Sequence, residues 1–331
     1  MTLHSDPAAP RKPRRLGLVI PWGVALALVA GWSVAWFWLA MAAGQRIDAA
    51  GAALRAGGWQ ASWSERTTSG YPFRLDVDLE DLRLADPSGW AVAAPSLKAE
   101  AYVFAPTRWV VAVPDGFAFT RPDGGPVSVT ARRLRFSLNS WDQHPPRLSL
   151  EGEDITFAAA PGAKPFSLAA AKDLQFYTRA GPQDQGEVLL LVQGGAAAPG
   201  TWLARIAQGA PVAITADAVM SHVSAFHGAG WREAVSGWAL AGGVLGVHQL
   251  TLAAGGAGFD ARSGAVGVDP DGRLTGALPV TVNQPTRVLA ALAGGKAKLA
   301  SGEPPQSVRL DLAGGAASIA GLKLGPAPRV F

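Results

Sequence analysis

Residues 16–44 carry no charged side chain and read LGLVIPWGVALALVAGWSVAWFWLAMAAG. At about 1.5 Å per residue, some 20 helical positions cross roughly 30 Å of hydrocarbon. In lipid, backbone groups must pair within their own segment, so a helix is expected. Arg11, Lys12, Arg14 and Arg15 precede the run, whereas Arg46 and Asp48 nearly cancel behind it. The positive-inside rule then makes residues 1–15 a cytoplasmic stub, 16–44 a single-pass inner-membrane signal anchor, and 45–331 a periplasmic domain. A cleavable signal is the alternative, with Ala40-Met41-Ala42 as its small-x-small site. The length of the run, and bulky Trp32, Trp36, Phe37 and Trp38 near that site, favour the anchor.

Beyond the anchor, 40 glycines and 25 prolines in 331 residues fit many short elements joined by turns. The net charge is +4, and the stub supplies +3 of it, so the balance gives no case for nucleic-acid binding. Cysteine is absent, which removes disulfides, thiolate metal sites and a cysteine nucleophile.

Residues 45–56 place Ile47, Ala50 and Leu54 on one stripe, which predicts a short amphipathic helix continuing out of the membrane and ended by Gly57-Gly58. Trp59 and Trp63 follow, either as membrane-surface anchors or as the start of the core. Leu75, Val77 and Leu79 then alternate with Asp76, Asp78 and Glu80, a half-buried strand. The parity flips at Glu80-Asp81, and Leu82 and Leu84 continue it. A bulge or bend there keeps both halves facing one core.

A pattern of apolar-Ser-apolar, small and polar residues, then apolar-x-Phe occurs at residues 95–104, 127–136, 148–157 and 166–176. In the first three copies the two apolar pairs are out of phase for a straight strand. Each unit therefore bends in the middle or shows its ends to opposite faces. Ala99, Ala131, Gly152 and Ala170 lie where a bend would want a small residue. Bent long strands predict a strongly curved sheet with one apolar concave side. Turn clusters at residues 86–89, 122–126, 144–146 and 181–182 separate the units. Further strands are expected at 186–194, 212–215, 242–283, 306–312 and 316–324, and helices at 199–207, 224–240 and 284–299. The fold class is mainly β (α+β): a transmembrane helix, then a large curved antiparallel sheet with a few short helices, with a subdivision near 195–240 left open.

No catalytic or metal-binding pattern emerges. His222 and His227 are five apart, which suits neither a helical nor a strand metal pair. No Gly-x-Ser-x-Gly elbow or phosphate loop occurs. The acidic residues from Asp76 to Asp81, and Arg132, Arg133 and Arg135, read as solvated strand faces, with lipid-headgroup contact an alternative for the arginines. The expectation is a non-enzymatic protein without cofactor.

Several features together resemble a proteobacterial family of unknown function, domain of unknown function 2125. They are the basic stub, the single anchor, and Gly70, Tyr71, Pro72, Phe73 and Arg74 feeding an acidic alternating strand. Trp109 after the stretch 102–106 and the run 271–276 add to them. That family is similar in style to AsmA-like proteins, and the resemblance implies a curved sheet hung from the inner membrane with a groove that shields acyl chains. It implies no catalytic residue.

Two functions remain. In the first, the apolar positions Leu75, Val77, Leu134, Phe136, Leu150, Phe157 and Phe176 line a groove for phospholipid or another acyl lipid. The bland rival for these residues is an ordinary packed core. In the second, the chain is a structural scaffold of the envelope that binds other proteins.

Overall fold

A computed structural model describes residues 16–140, 143–295 and 303–331; the stub, His4 and the end of the helix expected at 284–299 lie outside them. The first element is one uninterrupted helix, α1 (Leu16–Ala56). It continues past Gly44 as expected, because nothing between Gly44 and Ala56 breaks the hydrogen-bond ladder. The helix ends where expected. Gly58 adopts φ 87°, so Trp59 N donates to Leu54 O and Gly58 N to Arg55 O, closing the last turn. A stretch within α1 reaches a mean hydropathy of 1.9, so the helix is long and apolar enough to cross a membrane. Beyond it Gly44 and Gly51 are buried, with Ile47 and Leu54 half-buried. Ala50, expected on one stripe with Ile47 and Leu54, is exposed but borders the space between the helix and the sheet.

The rest is mainly one antiparallel meander. It comprises β1 (Gln60–Ser62), β2 (Glu65–Ser69), β3 (Arg74–Ala85), β4 (Ala91–Tyr102), β5 (Ala105–Ala112), β6 (Phe117–Arg121), β7 (Gly125–Thr130), β8 (Arg133–Asn139), β9 (Arg147–Ala159), β10 (Leu168–Ala180) and β11 (Gln185–Ala197). After α2 (Trp202–Ala207) come β12 (Val212–Ser221), α3 (Trp231–Leu240), β13 (Leu245–Ala254), β14 (Ala257–Ala261), β15 (Ala265–Val268) and β16 (Leu274–Asn283). The chain closes with α4 (Pro285–Leu292), β17 (Gln306–Ala313), β18 (Ala316–Ile319) and β19 (Leu322–Pro326). Short strands laid end to end, such as β5 with β6 and β7 with β8, form single rows against the long strands β4 and β9. β11 pairs with β12 and β12 with β13, each ladder with one register shift.

A crease crosses this sheet. In β3 the pairing passes from Glu80–Ser96 to Leu82–Ala94, leaving Asp81 at φ 51° opposite Pro95. The next rows break at residues 113–116 and 131–132. β9 follows with Asp154 at φ 50°, β10 skips Lys172, and β11 steps at Gly194. At Asp81, at residues 131–132 and at Asp154 the inward parity swaps, whereas the four residues 113–116 preserve it, so the apolar side stays on one face. Val127, Val129, Leu134 and Ile155 are all buried, and Val129, Leu134 and Ile155 share one core cluster. The bend wins over the opposite-face alternative for copies 127–136 and 148–157. In copy 95–104 the interruption lies at Pro95, and Ala99 sits in straight strand. In β9 the left-handed residue is Asp154, two positions after Gly152.

The core runs along the concave side without a gap. Phe117 and Phe136 join the cluster around Val77 and Leu82 to that around Val129 and Leu134. Leu168 and Ile214 join the latter to a third cluster, where α2 and α4 cover β13, β14 and β16. Trp63 packs in the first cluster and Trp59 Nε1 donates to Ala229 O, so both indoles belong to the domain. Two further expectations change. Only residues 231–240 of the expected helix at 224–240 are α-helical, because Gly228 and Gly230 hold its start in extended or turn backbone and Val223–Ala225 is a 3-10 turn. The last expected strand is a hairpin, β18 and β19, folded at Gly321 with φ 80°.

Adjacent strands twist by roughly 20–25°, so the seven steps from β3 to β12 turn the direction by about half a revolution. That brings α3, which follows β12, onto the turn after β3. There Asp86 is buried and accepts hydrogen bonds from Ser88 Oγ at 2.5 Å, Trp90 N at 2.9 Å and Trp231 N at 2.8 Å. Burial works against its charge, but these donors outweigh it and hold its pKa below the usual carboxylate value.

Two predictions follow from the crease and from this tie. Asp81→Val forces a β-branched residue into left-handed backbone and is expected to lower stability by about 1–2 kcal/mol in urea unfolding, whereas Asp81→Gly is tolerated. Asp86→Ala strands buried amides and is expected to cost about 2–4 kcal/mol. With a depressed folded pKa, the Asp86 contribution is complete above the unfolded carboxylate range and is lost as pH falls through the folded value. Melting measured across acid pH should therefore fall less steeply in Asp86→Ala than in the parent.

Candidate functional site

The Gly70–Arg74 motif is the loop that docks the sheet onto α1. Gly70 sits at φ 99°, and a Cβ there would meet the Arg74 carbonyl at 2.8 Å, so only glycine makes the turn. Trp32 Nε1 donates to Pro72 O at 2.9 Å, and Trp36 Nε1 donates to Arg74 O at 2.8 Å. Ser33 Oγ and Tyr71 Oη lie 2.8 Å apart. Tyr71 also stacks on Phe37 at 6.2 Å and meets Trp36 edge-on at 5.5 Å. Trp36 is 5% exposed for this reason, although it belongs to the apolar run. Arg74 turns outward and pairs with Asp76 at 2.5 Å and with Glu100 at 3.5 Å. At the same end, Phe73, Tyr102 and Phe104 remain exposed.

Further along, α1 lies over the first strands but does not seal against all of them. Gly44 and Gly51 allow contact with β2 and Trp63; a Cβ on Gly51 would sit 2.5 Å from the Trp63 ring. Beside this contact remains a cavity of about 360 Å³. Its helix wall includes Trp38, Ala43 and Ile47, and its sheet wall includes Leu75, Val77 and Trp109. The polar end is Arg46.

The anticipated apolar residues therefore part company. Leu75 and Val77, both nearly inaccessible to water, face this cavity. Leu134, Phe136, Leu150 and Phe157 come together in the cluster under the crease, with Phe136 edge-on to Phe117 at 6.2 Å. Phe176 lies between its cross-strand neighbours Leu150 and Leu190. The helix wall of the cavity went unanticipated, since a run legible as lipid-facing gave no sign that one side of it met protein.

The charged clusters are strand-face ion pairs. Arg132 reaches Glu153 at 2.6 Å and Asp154 at 2.9 Å, and Arg133 reaches Glu153 at 3.0 Å. The hydrogen bond to Asp154, with the neighbouring acids, raises the Arg132 pKa. Such exposed pairs contribute little. Among the described residues, no group of three or more histidine or acidic side chains converges as a metal site.

Gly51→Leu is expected to lift α1 off Trp63 and open the cavity. In the full-length protein it should lower the melting temperature and speed proteolysis after Ala56, while Ala49→Leu, at an exposed position outside the cavity, should not.

No curated protein and no solved structure matches the chain. The family model DUF2125, described as an uncharacterized protein conserved in bacteria, matches residues 36–328. That span takes in the docking motif, the cavity and nearly the whole sheet, and the chain belongs to this family.

Proposed function

We propose that this protein is an inner-membrane-anchored, periplasmic lipid-binding protein, without catalytic activity, that shelters an acyl chain between α1 and the sheet. The observation that carries the reading is the cavity under the outer part of α1. Its volume falls within the range of small-molecule sites, and its walls are almost wholly apolar. Each CH₂ moved into it from water gains about 0.8 kcal/mol.

The position of the cavity supports the same reading. With residues 16–36 taking up roughly 30 Å of bilayer, Trp36 and Trp38 stand at the outer interface, where indoles partition. The exposed rings of Phe73, Tyr102 and Phe104 lie at the end of the sheet docked to that level. A chain leaving the outer leaflet then meets apolar surface from Phe73 to Val77 without crossing water. The cationic residues 11–15 support the orientation with the sheet in the periplasm.

The test is native mass spectrometry of the full-length chain purified in mild detergent. One acyl lipid per chain is expected. Ala43→Trp, which fills the cavity from the helix side, should reduce that occupancy by about tenfold without lowering the melting temperature. A lipid-free parent, or equal occupancy in Ala43→Trp, overturns the proposal. A protein recovered in fixed ratio instead of lipid would favour an envelope scaffold.

A further inference from the structure

The end of the sheet opposite the docking motif carries two adjoining recesses that share Trp90. One is an apolar slot of about 450 Å³ walled by Trp59, Leu84, Trp90, Val92, Phe119 and Trp231. The other, of about 230 Å³, lies between the β6–β7 turn and the last residues of the chain. Its side chains bring three cations, Arg121, Lys164 and Arg329, against one carboxylate, Asp123. Asp86 borders the slot, but its oxygens already accept three hydrogen bonds.

Two buried donors at this junction have no partner, Trp90 Nε1 and Arg121 Nε. Buried donors are nearly always paired, by protein, water or a ligand. Arg121 is also held in place. Its Nη2 donates to the carbonyls of Gly124 and Lys164, and its guanidinium lies 4.4 Å over the Phe166 ring. Burial lowers the Arg121 pKa, a cost that a facing anion offsets. A fixed, partly desolvated guanidinium beside two exposed cations suits a head group with several acceptor oxygens. The neighbouring slot suits a flexible apolar tail.

We propose that the paired recesses form a second site that binds one anionic amphiphile, with its apolar chain in the slot and its carboxylate or phosphate head among Arg121, Lys164 and Arg329. The site shares no residue with the cavity under α1 and stands whether or not that cavity takes lipid. Its place on the face of β3 is informative. Leu75 and Val77 line the first cavity and Leu84 the second, on either side of the crease at Asp81. A free fatty acid and a lysophospholipid carry the same chemistry, and competition separates them.

The experiment uses the full-length chain in lipid nanodiscs with diazirine-bearing palmitate, photolysed and mapped by peptide mass spectrometry. Adducts are expected in the segments holding Trp90, Phe119 and Trp231. Palmitate or lysophosphatidate should compete and hexadecanol should not, and the stronger competitor identifies the source. Lys164→Gln with Arg329→Gln, two exposed positions, should lower the yield by about tenfold at unchanged circular dichroism and melting. Absence of adducts in these segments, equal competition by hexadecanol, or an unchanged yield in the double variant overturns the proposal. Adducts near Trp38 and Leu138 report the other cavity, so the two readings fail separately.

Discussion

The structure depends on keeping one apolar face through a fold line. A strand alternates sides with strict period two, so a straight strand as long as β3 can present only one parity to the core. The chain changes parity at Asp81, a left-handed residue in an unshifted register, so Leu79 and Leu82 are both buried. Breaks of differing form recur from row to row as far as Gly194, and the sheet folds along a line without exposing its interior. Because the break is shared by neighbours, each strand's bend is stabilised by the next. Arg132 lies on this line, and its pairs with Glu153 and Asp154 tie one broken row to another.

The fold line also separates the two candidate ligand regions. One half of β3 faces α1, and the other faces the indoles of Trp90 and Trp231, which meet at 6.2 Å. Twist across the meander returns α3 to the start of the sheet, and Asp86 ties the two together. A buried carboxylate with three donors suits this position, because each donor would otherwise be a buried amide or hydroxyl without a partner. This end of the sheet is therefore closed by tertiary contacts between residues distant in sequence. Trp59 with Ala229 and Trp231 with Val330 are further examples.

Much of the architecture was legible from period and parity. The apolar run predicted α1, Gly57-Gly58 its end, and the flip at Glu80-Asp81 the first bend. The turn clusters at 86–89, 122–126 and 181–182 are hairpin connections as expected. What misled was local context without packing. Ala50 reads as a stripe residue with Ile47 and Leu54, but it is Gly51, the residue without a Cβ, that packs on Trp63. Gly-rich residues 226–230 interrupt a helical pattern, because backbone freedom there costs more than the periodicity supplies. Leu134, Phe136, Leu150 and Phe157 carry the same alternating signal as Leu75 and Val77, so nothing in the pattern could divide core from cavity.

By itself the sequence determined the elements: a helix able to span a bilayer, half-buried antiparallel strands, and the positions where they bend. These follow from side-chain period, charge and turn chemistry, all local properties. Only the tertiary structure decided that the Gly70–Arg74 motif is a dock for Trp32 and Trp36, that a space remains under α1, and that Arg121 meets Trp90 beside an apolar slot. Such features depend on where surfaces fail to meet and on which distant groups the twist brings together. Accumulated over many rows, small rotations place residues in ways that no local pattern encodes.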